Sequence, residues 1–96
     1  MSYTDDDINW VYDRTGGQCF YCDMRLSFKN YGIVGAKGAW EIDHFLPVRS
    51  GGAHQPYNWV PACVDCNTRK SDSLPWEFDP DRFRVRDRNP DNYIRG

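Results

Sequence analysis

Four cysteines stand in two Cys-x-x-Cys pairs, Cys19/Cys22 in GGQCFYCD and Cys63/Cys66 in VPACVDCN. Two cysteines three apart in a tight turn aim both sulfurs at one point, and two such knuckles supply the four thiolates of a tetrahedral zinc site. Two disulfides are the other use of four cysteines, but they need an oxidising compartment. The opening MSYTDDDINW lacks the basic and then apolar run of a signal peptide. A redox Cys-x-x-Cys would leave the second pair without a role. Spacing and compartment together favour zinc. The pairs are separated by 40 residues, more than the ~15–20 of a simple zinc ribbon, so the metal would staple the ends of an inserted segment. With all four positions filled by sulfur, it would hold shape and not catalyse.

The inserted segment and its flanks read EIDHFLPVRSGGAHQPYNWVPACVDCNTRK. Asp43 and His44 are adjacent at the end of an expected strand, where successive side chains point in different directions, so one can bind a metal while the other faces a substrate. Asn67 directly follows a zinc thiolate, which ties its position to the staple. A carboxylate and an amide are hard oxygen donors that suit magnesium or manganese and ill suit a second zinc. A neutral imidazole beside such an ion is a credible general base near pH 7. Singly, an Asp-His pair is more often a turn or a hydrogen-bonded pair, and an Asn after a knuckle a cap or turn residue. Their joint occurrence points to hydrolysis. Cleaving a phosphodiester needs a nucleophile relieved of its proton and a leaving alkoxide that is neutralised, and one ion with one base meets both demands.

The elements that must position these residues can be read along the chain. Thr4-Asp5-Asp6-Asp7 is an N-cap with a carboxylate three residues on, followed by Ile8, Trp10 and Val11 and stopped by Gly16-Gly17, which predicts a helix over about 4–15. Its acids favour the helix N-terminus through the dipole, which accounts for them without a functional role. From Met24 to Gly38 the text is polar and glycine-dotted, a loop with at most one short strand. Trp40-Glu41-Ile42-Asp43 alternates as a strand does, Ser50-Gly51-Gly52 breaks the chain, and Tyr57 to Val60 fits a second strand before Pro61. Asp65 is expected to cap a short helix through Asn67, Arg69 and Lys70, ended by Leu74-Pro75. In the tail, Asp79-Pro80 could open a helix, yet RFRVRDR alternates, with arginines on one face and Phe83 and Val85 on the other; an arginine-studded strand or extended arm is expected.

Composition bounds the rest. A chain of 96 residues is one domain whose core alone stabilises it poorly, and a structural zinc, worth on the order of 10 kcal/mol, would make up the deficit. With 40% hydrophobic, 16% aromatic and 27% charged residues the chain is too apolar for disorder and too interrupted by charge for a fibre. No apolar run approaches the ~20 residues that span a bilayer. A soluble, cytoplasmic protein with no membrane partner is expected. The net charge of −2 argues against nucleic-acid binding by bulk electrostatics. Any such binding must be local, and Arg69, Lys70, Arg82, Arg84, Arg86 and Arg88 gather in the last third, away from the N-terminal acids.

The stretch from Cys19 to Lys70 resembles the HNH nucleases, the zinc-containing branch of the ββα-metal (His-Me finger) endonucleases. Their pattern is Cys-x-x-Cys, Asp-His-x-x-Pro with Gly-Gly, Asn, then Cys-x-x-Cys-[His/Asn]-x-x-Lys. Here it is carried by Cys19/Cys22, Asp43-His44, Pro47, Gly51-Gly52, Asn58, Cys63/Cys66, Asn67 and Lys70. The resemblance implies a small, zinc-stapled α+β domain, with a ββα-metal core of β-hairpin plus helix over 19–70, an N-terminal helix, and a C-terminal arm over 71–96, all within one nuclease domain spanning 1–96. It implies a metal-dependent DNA endonuclease leaving 5′-phosphate and 3′-hydroxyl ends. His44 would deprotonate the attacking water, and Asp43 and Asn67 would hold the catalytic divalent ion. Asn58 would brace the loop so that a backbone carbonyl orients the histidine. Lys70 would anchor a phosphate or the helix. The third letter is Asn67 where the family name has His, which tilts the metal towards magnesium or manganese. The alternative is a catalytically inactive zinc module that binds nucleic acid, or an accessory of the kind that helps tailed phages package DNA. Such roles admit a homodimer, a larger nuclease or packaging complex, and a phage-encoded origin.

Other residues invite weaker expectations. His54 in the hairpin connection reads as a surface-loop histidine before an auxiliary ligand or phosphate contact. Of the four tryptophans, Trp76 is the candidate for base stacking, with core packing the default. The six basic residues named above are expected to track phosphates, lending salt-sensitive affinity with little base discrimination.

Overall fold

The computed structural model describes residues 2–94. Its first element, α1 (Asp5–Arg14), begins where the sequence places it: Thr4 Oγ1 accepts from the Asp7 N–H at 3.1 Å, and the Thr4 N–H donates back to Asp7 Oδ2 at 3.0 Å. Val11 is its one fully buried residue, so the helix lies on the core by a narrow stripe. The loop that follows carries the first knuckle and a single 3₁₀ turn, Phe28–Asn30, with no strand.

The centre is an antiparallel hairpin of β1 (Trp40–His44) and β2 (Trp59–Cys63), paired from Trp40 opposite Cys63 to His44 opposite Trp59. The second strand starts two residues later than Tyr57 and runs through Pro61, because Pro56–Asn58 forms a 3₁₀ turn instead. Proline fits there: in a sheet of two strands each has a free edge, so the missing N–H costs no ladder bond. The free carbonyl is used, for Pro61 O accepts the Phe20 N–H at 2.8 Å and docks the first knuckle on the sheet.

Directly after β2 comes α2 (Val64–Lys70). Cys63, not Asp65, is its N-cap, its sulfur accepting the Cys66 N–H at 3.4 Å while Asp65 sits in the first turn. The helix lies across β1, and contacts pair Asn67 with Glu41 and Lys70 with Asp43. These partners are spaced two apart on the strand and three apart on the helix, the periods at which side chains share a face. The assembly is a small α+β domain of ββα-metal architecture.

A four-residue helix, α3 (Pro75–Phe78), follows, and the tail beyond it is a chain of turns with a last 3₁₀ turn at Pro90–Tyr93. The expected strand is not formed. Phe83 is fully buried, stacked on Phe20 and edge-on to Phe45 and Tyr93, whereas Val85 is 82% exposed, so the two do not share a face. Burying one aromatic ring outweighs an alternation that no neighbouring strand is there to pair. Among the described residues, no helix is long and apolar enough to cross a membrane.

Candidate active site and metal centre

The four cysteine sulfurs lie within 4.8 Å of one another. Tetrahedral coordination at a Zn–S distance near 2.3 Å requires sulfurs about 3.8 Å apart, and Cys22 and Cys63 stand at 3.8 Å. The knuckle backbones already donate to these sulfurs, as zinc thiolates require: the Cys63 N–H reaches Cys19 Sγ at 3.3 Å. Burial pushes the Cys19 thiol up to about 11 and raises Cys66 as well, in part through the other sulfurs. At Cys22, hydrogen bonds from Met24 and the neighbouring sulfurs outweigh its partial burial and lower the thiol. Such a cluster accommodates four negative sulfurs only around a cation. Residues and geometry both fit a structural zinc, which would join the first knuckle to the seam between β2 and α2.

At the far end of β1, Asp43 and His44 line one cleft of about 320 Å³ together with Pro47, Val48, Arg49, Ser71 and Asp72. Asp43 is almost fully buried, and its two oxygens are used differently. Oδ2 accepts from the Tyr21 hydroxyl at 2.5 Å and pairs with Lys70 Nζ at 3.1 Å. Oδ1 has no partner among the described residues. Burial raises the Asp43 pKa, against the opposing pull of Lys70 and Tyr21, and the same burial and charge push the Tyr21 hydroxyl well above its ordinary value. His44 is half-buried and its pKa is lowered, first by desolvation and then by His54, so its imidazole is neutral near pH 7.

Asn67 lies one step back along the strand–helix seam and does not line the cleft. Its Nδ2 donates to Glu41 Oε1 at 3.0 Å, and its Oδ1 has no partner among the described residues. A carboxylate can only accept, so Glu41 selects the amide nitrogen and leaves the oxygen as the free end. The donor set therefore fits a hard divalent ion in chemistry: one carboxylate oxygen and one amide oxygen, each left over after its neighbour is bonded.

Asn58 is fully buried beneath the hairpin connection. Its Oδ1 accepts the Leu46 N–H, and its Nδ2 donates to Leu46 O and Ala53 O, each at 2.9 Å, so one side chain ties both limbs of the loop. Gly52 belongs to the same construction, for a Cβ there would stand 1.8 Å from Leu46 O. The group found on His44 is a side chain: His44 Nε2 and His54 Nδ1 are 2.9 Å apart. His54 is half-buried between Tyr3 and Trp59, not loose on the surface.

The basic residues divide. Lys70 is 1% exposed, bonded to Asp43 and to His44 O at 3.2 Å, so it anchors the helix to the end of β1 and is not a phosphate contact. Arg82 also turns inward, donating to the carbonyls of Phe20, Tyr21 and Tyr93 and lying over the Phe20 and Phe83 rings, which straps the tail to the first knuckle. For Lys70 this is the helix-anchoring alternative of the sequence reading, and for Arg82 it corrects the expected surface cation; in both, a long stem crosses apolar packing to reach buried acceptors. Arg69 is exposed but paired with Asp65 at 3.0 Å. Arg84, Arg86 and Arg88 are exposed. Trp76 packs against the core.

Glu41 and Tyr21 were not legible as site residues, and His54 was weighed only as an auxiliary ligand or phosphate contact, not as a partner of His44. Tyr21 lies inside the first knuckle and Glu41 two before the Asp-His pair, positions at which packing is the simpler expectation. For His54 the signal was present in its proximity to Gly51-Gly52, but a ring contact across the loop cannot be read from spacing. A comparison with curated proteins finds no match. The family model for HNH endonuclease matches residues 19–73, which contain both knuckles, the hairpin and all of α2. That is more than half of the chain, and the protein belongs to the HNH endonuclease family.

Proposed function

We propose that the 96 residues act as a single nuclease unit that hydrolyses DNA phosphodiesters with one divalent ion, magnesium or manganese. The observation that carries this reading is the cleft in which a neutral imidazole and a carboxylate stand on consecutive residues. His44 takes the proton of the attacking water. Asp43, held on Oδ2 by Tyr21 and Lys70, offers Oδ1 to the ion, and Asn67, held on Nδ2 by Glu41, offers its amide oxygen. When bound, the ion supplies charge neutralisation on the phosphate and the departing 3′ oxygen. Asn58 keeps the loop above His44 closed, and the exposed Arg84, Arg86 and Arg88, with Arg69, supply phosphate contacts. The ends produced are 5′-phosphate and 3′-hydroxyl.

The accessory reading draws on one observation, the amide of Asn67 turned to Glu41 and outside the cleft lining. Supercoiled plasmid separates the two. Zinc-loaded protein should nick it in magnesium or manganese and not in their absence, and His44→Ala should lose cleavage with zinc content and melting temperature unchanged. A His44→Ala protein that cuts at the wild-type rate overturns the assignment of the base. Wild-type protein that binds the plasmid but never cuts it, in any divalent metal, establishes the accessory reading instead.

A further inference from the structure

We infer that His54 is a positioning residue for the general base: its Nδ1 accepts a hydrogen bond from His44 Nε2–H and so leaves the other nitrogen of His44, Nδ1, as the proton acceptor. This rests on the nuclease reading for its catalytic meaning. The contact between the two nitrogens rests on the structure alone, and its direction, from His44 to His54, rests on the nuclease reading as well.

The two nitrogens stand 2.9 Å apart, close enough to share one proton and too close to hold two. Two arrangements satisfy that rule. If His54 donated, His44 Nε2 would spend its lone pair on the bond, the neutral ring would carry its proton on Nδ1, and no nitrogen would remain to receive a proton from water. If His44 donates, Nδ1 keeps its lone pair, and after it takes a proton the Nε2–H of the imidazolium still has an acceptor. Only the second arrangement makes His44 a base.

The surroundings hold His54 to that task. Its ring packs 5.1 Å from Trp59 and 5.7 Å from Tyr3, and these two rings meet edge to face at 5.0 Å, so the imidazole has a built slot. The residue before it, Ala53, gives its carbonyl to Asn58 Nδ2. Asn58 therefore acts on His44 through His54, by fixing the backbone from which the second imidazole projects. Gly52 contributes by letting the chain pass against Leu46 O.

The test is nitrogen-15 spectroscopy of the imidazoles in zinc-loaded protein, with cleavage kinetics beside it. Wild-type His44 should show one neutral tautomer, Nε2 protonated and Nδ1 bare, and His54→Ala should show a mixture. His54→Asn places an amide oxygen near the Nδ1 position and should restore the single tautomer. In cleavage, His54→Ala should lose about 10–100-fold in kcat, the range for groups that orient a site residue, with KM unchanged, and His54→Asn should recover most of it. Three results overturn the inference: an unchanged His44 tautomer in His54→Ala; an Ala loss of rate that Asn does not recover; or a fall in manganese affinity in His54→Ala, which would make His54 a ligand. If the wild-type protein never cuts, the nuclease reading fails while the spectra still decide the hydrogen bond.

Discussion

Replacing Lys70 by methionine should be among the most damaging changes the chain can suffer, although Lys70 is not one of the four cysteines of the cluster. Its ammonium sits 3.1 Å from Asp43 Oδ2 with the two side chains 0% and 9% exposed. At an effective dielectric near 20 that separation corresponds to about 5 kcal/mol of attraction, and removing one partner of a buried pair costs about 3–5 kcal/mol. Domains of this size shift by roughly 4–8 °C per kcal/mol, so zinc-loaded Lys70→Met should melt some 10–40 °C below wild type, a large share of a typical stability of about 5–15 kcal/mol. The deficit depends on pH. Burial already raises the Asp43 carboxyl, and Lys70 opposes that rise, so its loss lifts the folded-state pKa further above the unfolded value of 3.8. A raised acid disfavours folding as pH climbs from the unfolded pKa through the folded one, because only the unfolded chain then ionises freely. The variant should therefore lie closest to wild type at the acidic end of the range in which zinc stays bound and farthest at pH 8. Melting followed by circular dichroism across pH measures this, and Lys70→Met with Asp43→Asn should recover part of the loss. A shift of less than about 4 °C at pH 8 would refute the buried pair. A fall of about one in the salt slope of DNA binding, in a Lys70→Met protein that remains folded, would return Lys70 to the phosphate surface.

Removing zinc with a chelator should unfold the domain, since binding worth on the order of 10 kcal/mol matches or exceeds the total stability typical of so small a core; an unchanged far-ultraviolet spectrum after verified metal loss would contradict this. Zinc affinity should rise with pH, because the ion must displace protons from thiols such as Cys19, which burial holds at about 11; a competition titration between pH 6 and 8 reads it. Cleavage should fall on acidification with an apparent pKa below 6.5, as burial lowers His44, and a midpoint above 7 would point to another base. Gly52→Ala should cost about 1–3 kcal/mol by overpacking and disturb the loop, since its Cβ would fall 1.8 Å from a backbone oxygen. Gly51→Ala should cost only about 1 kcal/mol, from a φ of +92° with open space around it; melting of both variants checks the pair.

The difference between what the sequence disclosed and what it hid follows from the kind of constraint involved. The four-sulfur cluster, the capped first helix and the hairpin were legible because each depends on spacing: sulfurs three apart, a carboxylate three beyond Thr4, apolar residues alternating from Trp40. The fates of Lys70, Arg82 and His54 depend on which buried acceptor or ring lies at the end of a side chain, and that partner is 10 to 62 residues away. Charge predicted a surface for Lys70 and Arg82, and the need to saturate Asp43 and the knuckle carbonyls drew them inside. The tail misled for the same reason, for RFRVRDR alternates, but a strand needs a neighbour, and Phe83 finds Phe20 instead.

The same logic explains why the site reads as a set of half-occupied groups. Asp43 is bonded on one oxygen, Asn67 on its nitrogen and His44 on Nε2, and in each case the partner fixes the orientation of the side chain while leaving one acceptor atom over. Tyr21, Glu41 and His54 are the three partners, one from the first knuckle, one from β1 and one from the hairpin loop. Orientation by a bonded neighbour costs no mobility at the moment of reaction, and it demands that the neighbours be rigid. Rigidity is what a closed four-sulfur cluster and the Asn58 brace provide at the two ends of the hairpin. Losing the zinc would then unfold the frame that holds Tyr21 and the whole site with it, whereas losing Asn58 would release His54 and weaken the orientation of His44.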